Sequence, residues 1–157
     1  MTSTTDKPGV IAPPPLLFAG AIAIGLALHY WIVPIHFGLG AGVRYGLGGL
    51  IIAAALGMGV GAIRLFGRAG THVEPWKPAT ALVTSGIYAY TRNPMYVGLA
   101  LLHVALSLIF DSVTVLVMLV PFLLVIRYGV IGREERYLTN KFPSEYPEYQ
   151  RRVRRWF

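Results

Sequence analysis

The sequence predicts an all-α integral membrane protein: a bundle of four transmembrane helices with a cytoplasmic interfacial helix at its C-terminus. Three observations lead there. Hydrophobic residues make up 55% of the 157-residue chain and charged residues only 13%, with a mean hydropathy of +0.58, outside the range of ordinary soluble domains. The apolar residues fall in four runs, 16–34, 46–66, 94–111 and 113–131, each near the roughly 20 residues that cross a hydrocarbon core. None of the runs alternates apolar and polar residues as a barrel strand does. Lipid offers loose backbone groups no hydrogen-bond partner, so each run is expected to be helical. A chain of this length has room for little else, and residues 1–157 are read as one domain.

The cations set the orientation. Lys7 precedes the first span; Arg64, Arg68, Lys77 and Arg92 lie around the connection between the second and third; eight Lys or Arg follow from Arg127 onward. Only Arg44 falls on the other side. This bias predicts a multi-pass protein with both termini in the cytoplasm, expected in the inner membrane of a prokaryote. The net charge of +7 is then a property of the cytoplasmic face, where it suits anionic lipid headgroups. Nucleic acid is not an expected partner, because little chain remains outside the spans to hold a duplex. With no cysteine in the chain, disulfides, thiolate zinc sites and a cysteine nucleophile are excluded. His29, His36 and His103 have no mutual spacing suggestive of a metal, and no metal site is expected.

Each element has its own local signal. Residues 1–12 are polar and aperiodic and are expected to fray. The first run begins after Pro13, Pro14 and Pro15 with little positive charge before it, is longer than a signal-peptide core and stops at Pro34, so it reads as a retained span. After the glycine-rich turn at 37–42, the second span carries Ala53, Gly57 and Gly61 at four-residue spacing, a small-residue face suited to packing against another helix or a second protomer. The connection from Gly67 to Arg92 is long for so small a bundle, and long loops tend to carry function. Pro94 is tolerated in a first helical turn, which makes Asn93 the expected N-cap of the third span. Spans three and four are separated only by a tight turn at Asp111 and Ser112 and must form an antiparallel hairpin. In the C-terminal segment 133–157, Phe142, Tyr146, Tyr149, Val153 and Trp156 recur at helical spacing behind Ser144, opposed by Arg151, Arg152, Arg154 and Arg155. That pattern fits a helix lying on the membrane or folded over a pocket.

The hairpin carries the functional inference. It brings Arg92, Asn93 and Tyr96, at the start of span three, beside Arg127, Arg133, Glu134 and Glu135, at the end of span four. Polar groups at the edge of a bilayer are costly unless used.

Five ordered pieces then resemble one family: ALVTSGIY at 81–88, RNPMYVG at 92–98, EERYL at 134–138, FPSEY at 142–146 and the closing RRVRRW. Together they are similar to the isoprenylcysteine carboxyl methyltransferases, which belong with the phospholipid methyltransferases among membrane enzymes that use S-adenosylmethionine. The resemblance covers about half the chain, from Thr71 to Trp156. It implies a cofactor pocket in which Leu82, Val83 and Tyr88 line the adenosine side. Asn93, Pro94 and Tyr96 would hold the amino-acid end or body, Glu134 a polar group, and Glu74 a further contact. Where the family has His, this chain has Asn93, which donates and accepts but does not titrate. The family's substrate-binding arginine falls at Val130.

Chemistry argues the same way. S-adenosylmethionine carries a sulfonium, an ammonium, a carboxylate and hydroxyls, which call for acidic, cationic and neutral polar partners. Glu134 with Glu135, Arg92 with the start of span three, and Tyr96 supply those types. No triad or metal is required, and no catalytic side chain is assigned. On the acceptor side, Arg127 or Arg133 would orient a carboxylate and His72 would assist deprotonation. The expected activity is methyl transfer to a lipophilic acceptor arriving from the bilayer, with carboxylate, thiol and amine acceptors all open. Two alternatives stand beside it: a non-catalytic lipid- or small-molecule-binding membrane protein, and a membrane reductase of related architecture.

Overall fold

The computed structural model describes residues 6–156. Every regular element in them is helical: α1 (Pro14–Trp31), α2 (Ala41–Arg68), a 3₁₀ turn (Gly86–Ala89), α3 (Pro94–Ile109), α4 (Val113–Lys141) and α5 (Glu145–Arg152). α1, α2 and α4 are long and apolar enough to cross a membrane. α3 has 16 residues, about 24 Å at the usual rise, short of a roughly 30 Å hydrocarbon core. The anticipated count of four spans therefore rests on three helices of full length and a fourth that is apolar but shorter.

Local chemistry explains the helix ends. Proline occupies the first turn of both α1 and α3, where a missing N–H costs nothing. Ser112 caps α4, its Oγ accepting from Val115 N at 3.0 Å. The expected tight turn is present, with Asp111 at φ 53°, a left-handed conformation that Asp tolerates better than most residues. Its carboxylate accepts from Phe37 N at 3.2 Å and lies 3.7 Å from Arg44 and 3.3 Å from His36, so the turn anchors the far ends of α1 and α2 as well.

α4 is one continuous rod with a π-helical stretch at Ile126–Ile131. The wider turns shift everything beyond them around the axis relative to a pure α-helix. Core residues Ala21, Phe122, Ile126, Val130 and Ile131 cluster here with Tyr96 of α3. A hydrogen bond between His103 Nε2 and Val115 O, 2.8 Å, ties the hairpin together deeper in the bundle.

The main helix interface joins α2 to α3, and it uses a different face of α2 from the one expected. Gly48, Ala55 and Ala62, seven residues apart, are the buried residues of α2. A Cβ on Gly48 would fall 2.7 Å from Ile109 Cγ1, and one on Gly98 would fall 3.3 Å from the Ala55 carbonyl oxygen. By contrast, Ala53 and Gly57 are exposed, and neither Gly57 nor Gly61 has an atom within 4 Å of an added Cβ. At the α2–α3 contact within the chain, the small residues of α2 follow a seven-residue repeat, which keeps one stripe of a helix against its neighbour.

Two terminal expectations are also corrected. Of the segment 1–12 expected to fray, residues 1–5 lie outside the described residues and residues 6–11 are fastened to α4: Ile11 N donates to Gly129 O at 3.3 Å and Arg133 Nη1 to Gly9 O at 2.7 Å. The C-terminal helix ends at Arg152 rather than running to Trp156, because Val153 turns extended (φ −121°, ψ 131°). Beyond it the backbone has other partners. Arg92 N donates to Arg154 O at 3.0 Å, and Thr91 Oγ1 and Asn93 Nδ2 donate to Arg155 O at 3.2 and 2.8 Å.

Candidate functional site

The connection between α2 and α3 builds the site from short-range bonds. Thr71 Oγ1 accepts from Thr80 N at 3.0 Å while Thr80 Oγ1 donates to Gly70 O at 2.9 Å, closing residues 71–80 into a loop. The 3₁₀ turn then begins at Gly86, φ 60°, where a Cβ would strike Leu65 at 2.8 Å; glycine alone fits that conformation and that gap. The turn delivers Tyr88 onto Ala62, Val83 and Phe66, forming an apolar wall. Tyr149 of α5 donates its hydroxyl to Tyr88 O at 2.7 Å, which holds α5 over the same space.

The result is a cleft with about 810 Å³ of atom-free space, part of it open to solvent. Glu74, Leu82, Val83, Tyr88, Arg92, Asn93, Pro94, Tyr96, Glu134 and Glu135 all line it, as does His72. The hairpin thus brings the start of α3 and the end of α4 together. Tyr96 Oη lies 2.9 Å from both carboxylate oxygens of Glu134.

Arg127 and Arg133 do not line the cleft. Arg133 neighbours Glu134, but adjacent helical residues point about 100° apart, and its guanidinium is spent on Gly9 O. Arg127 is seven residues before Glu134 and would share its face on a regular α-helix. The π-helical stretch between them breaks that register, and Arg127 lies exposed, its guanidinium 5.4 Å from the Tyr128 ring centre. Asn93 does stand at the N-cap position of α3, but its side chain caps nothing and instead holds the C-terminal arm through Arg155 O. Ser144 likewise occupies the N-cap position of α5 without a side-chain cap bond.

The two glutamates do different work. Glu135 is a structural anion: Arg155 meets it in a two-pronged ion pair at 3.0 and 2.6 Å, and Arg92 Nη1 stands 3.2 Å away. Glu134 lies beyond the apolar stretch of α4 with no cation paired to it among the described residues. Burial, reinforced by the neighbouring Glu135 charge and only partly offset by the Tyr96 hydroxyl, raises its pKa to about 7. Burial also raises the Tyr88 and Tyr149 hydroxyls and pushes Tyr146 up to about 12, so these tyrosines act as neutral groups. Arg92 is ion-paired with Glu135 through Nη1, while its buried Nε and Nη1 make no hydrogen bond among the described residues. A cleft with an unpaired carboxyl at Glu134 and the Arg92–Glu135 ion pair beside it suits a ligand that carries a cationic group and further polar groups.

A family model described as phospholipid methyltransferase matches residues 43–145. The chain belongs to that family. The match to the phospholipid methyltransferases runs from α2 to the first residue of α5 and includes most of the cleft wall. An uncharacterized protein of Haemophilus influenzae (strain ATCC 51907 / DSM 11121 / KW20 / Rd) is 40% identical over 62 residues, covering 40% of this chain and 98% of that one. No solved structure matches.

Several cleft residues lay outside the sequence assignment: Phe66, Met95, Tyr137, Tyr146 and Tyr149, with Pro8 from the N-terminal segment. Tyr137 was findable, since it follows Glu134 by three residues on the same helical face. Pro8 had no such signal.

Proposed function

We propose that this phospholipid methyltransferase family member transfers a methyl group from S-adenosylmethionine to a lipophilic acceptor that reaches the cleft from the membrane. The observation that carries the reading is the Glu134 carboxyl, with no cation paired to it among the described residues, in one cleft with Arg92 and the start of α3. Glu134, ionised, would face the donor's cationic groups, and Arg92 its carboxylate. Leu82, Val83 and Tyr88 would receive the nucleoside along the apolar wall. When bound, the donor supplies an electrophilic methyl group and a neutral thioether leaving group. The chain's task is then to align the acceptor with that methyl group and keep water out.

A route for the acceptor supports the reading. An apolar groove between α2 and α3, lined by Ala55, Gly59, Ile63, Trp76, Leu99 and Leu102, shares Glu74, Met95 and Tyr96 with the cleft. An alkyl chain lying in the groove would bring its polar head to that shared wall. Neither Arg127 nor Arg133 is available there, so the acceptor reading no longer relies on an orienting arginine. The excess of cations at the cleft end of the bundle favours that end, with both termini, in the cytoplasm where the donor is found.

Equilibrium binding of S-adenosylmethionine to purified protein in nanodiscs tests the reading. Wild type should bind, and Glu134→Gln should weaken binding about tenfold, the loss of one interaction with a charged group. Absence of binding by wild type overturns it. Transfer of radiolabelled methyl to lipids extracted from the native membrane would then identify the acceptor.

A further inference from the structure

Four residues at four-residue intervals along α4 each hold a part of the N-terminal segment. Gly129 O accepts from Ile11 N at 3.3 Å, Arg133 Nη1 donates to Gly9 O at 2.7 Å, Tyr137 Oη donates to Asp6 Oδ1 at 2.9 Å, and Lys141 Nζ meets the Asp6 carboxylate at 2.6 and 2.8 Å. Gly129 leaves room for the Ile11 side chain, which would have to shift if a Cβ stood there. The segment therefore lies antiparallel along one stripe of α4, and Pro8, at its centre, lines the cleft. Tyr137 joins it to the opposite wall, since the same hydroxyl accepts from Ala79 N at 3.0 Å.

We propose that residues 6–11 are a strap that forms the outer wall of the donor cleft and lifts to admit the donor. The inference rests on reading the cleft as the donor site. Its fastenings suit a part that opens: they are few and mostly at the surface, with Asp6 58% exposed in its ion pair, and such contacts open more readily than buried packing. Gly9, at φ 63°, takes a left-handed conformation that glycine adopts and leaves without steric cost, while the prolines opening α1 keep the other end of the strap stiff. Arg133, Tyr137 and Lys141 thus act as latch residues rather than as acceptor ligands.

The chain has no cysteine, so one reporter, Val83→Cys on the cleft wall, can be read alone. Its modification by a charged, water-soluble thiol reagent is measured with the native strap, with Gly129→Val and with Arg133→Ala; neither of those two residues lines the cleft. Both loosened straps should react about fivefold faster or more, as expected when a local opening becomes easier, while a reporter at the exposed Tyr90 should react alike in all three. Equal rates at Val83→Cys overturn the strap as a gate, and Arg133→Ala, a surface change, keeps the test decisive if Gly129→Val does not fold. Adding S-adenosylmethionine should slow the reaction. If the strap variants differ but the donor gives no protection, the donor reading fails and the gate stands.

Discussion

Tyr96 donates its hydroxyl to Glu134, 38 residues further along the chain, at 2.9 Å from either carboxylate oxygen. This contact joins the two helices of the hairpin where the bundle opens into the cleft. It also stabilises the ionised carboxylate, the form a cationic ligand needs, against the burial that favours the neutral one.

That opposition gives a pH dependence with a definite sign. Glu134 has a folded-state pKa of about 7 against an ordinary 4.5, so the folded protein holds this proton more tightly than the unfolded chain. The associated stability is present below pH 4.5 and is lost as pH rises toward 7, by up to about 3 kcal/mol. Donor binding runs the opposite way, weakening as pH falls below about 7 because the carboxyl becomes neutral. Thermal unfolding and donor titrations between pH 5 and 8 should both show the trend, and Glu134→Gln should flatten both.

Tyr96→Phe keeps the ring packed and removes only the donor. Without that bond the Glu134 pKa climbs further, and donor affinity at pH 7 should fall about tenfold, the cost of a hydrogen bond to a charged group. Affinity should recover toward pH 8.5. A loss that is the same at every pH would show that the hydroxyl does not act through Glu134.

Glu135→Ala should open the C-terminal arm. The substitution leaves the half-buried Arg92 and Arg155 guanidiniums without their anion, a change that costs about 3–5 kcal/mol when such a pair is broken from one side. Trypsin should then cut within the arginine-rich arm faster than in wild type, as read by mass spectrometry of limited digests.

Gly48→Val and Gly57→Ala separate the face of α2 that packs on α3 from the face of Gly57 and Gly61. At Gly48 a side chain meets Ile109 and the Ala105 carbonyl, and overpacking of this kind costs about 1–3 kcal/mol. At Gly57 an added methyl meets nothing within 4 Å, so alanine should be neutral or stabilise by about 0.5–1 kcal/mol through helix propensity. Denaturant unfolding in detergent micelles measures both.

By itself the sequence determined the helices, the tight turn at Asp111 and, through it, the meeting of Asn93 and Tyr96 with Glu134 and Glu135. Hydrophobic runs, prolines and a two-residue connection are local signals, and a hairpin this short has one way to fold. Tertiary structure decided which faces are used. A run apolar on all sides does not disclose its packing stripe, so Gly48, Ala55 and Ala62 were hidden behind the more conspicuous Gly57 and Gly61. The π-helical stretch at 126–131 turned Arg127 away from Glu134 without any mark in composition. The strap at 6–11 is bound through one backbone amide, one backbone carbonyl and the Asp6 carboxylate, to partners more than a hundred residues further along the chain, a separation that leaves no local pattern in the sequence.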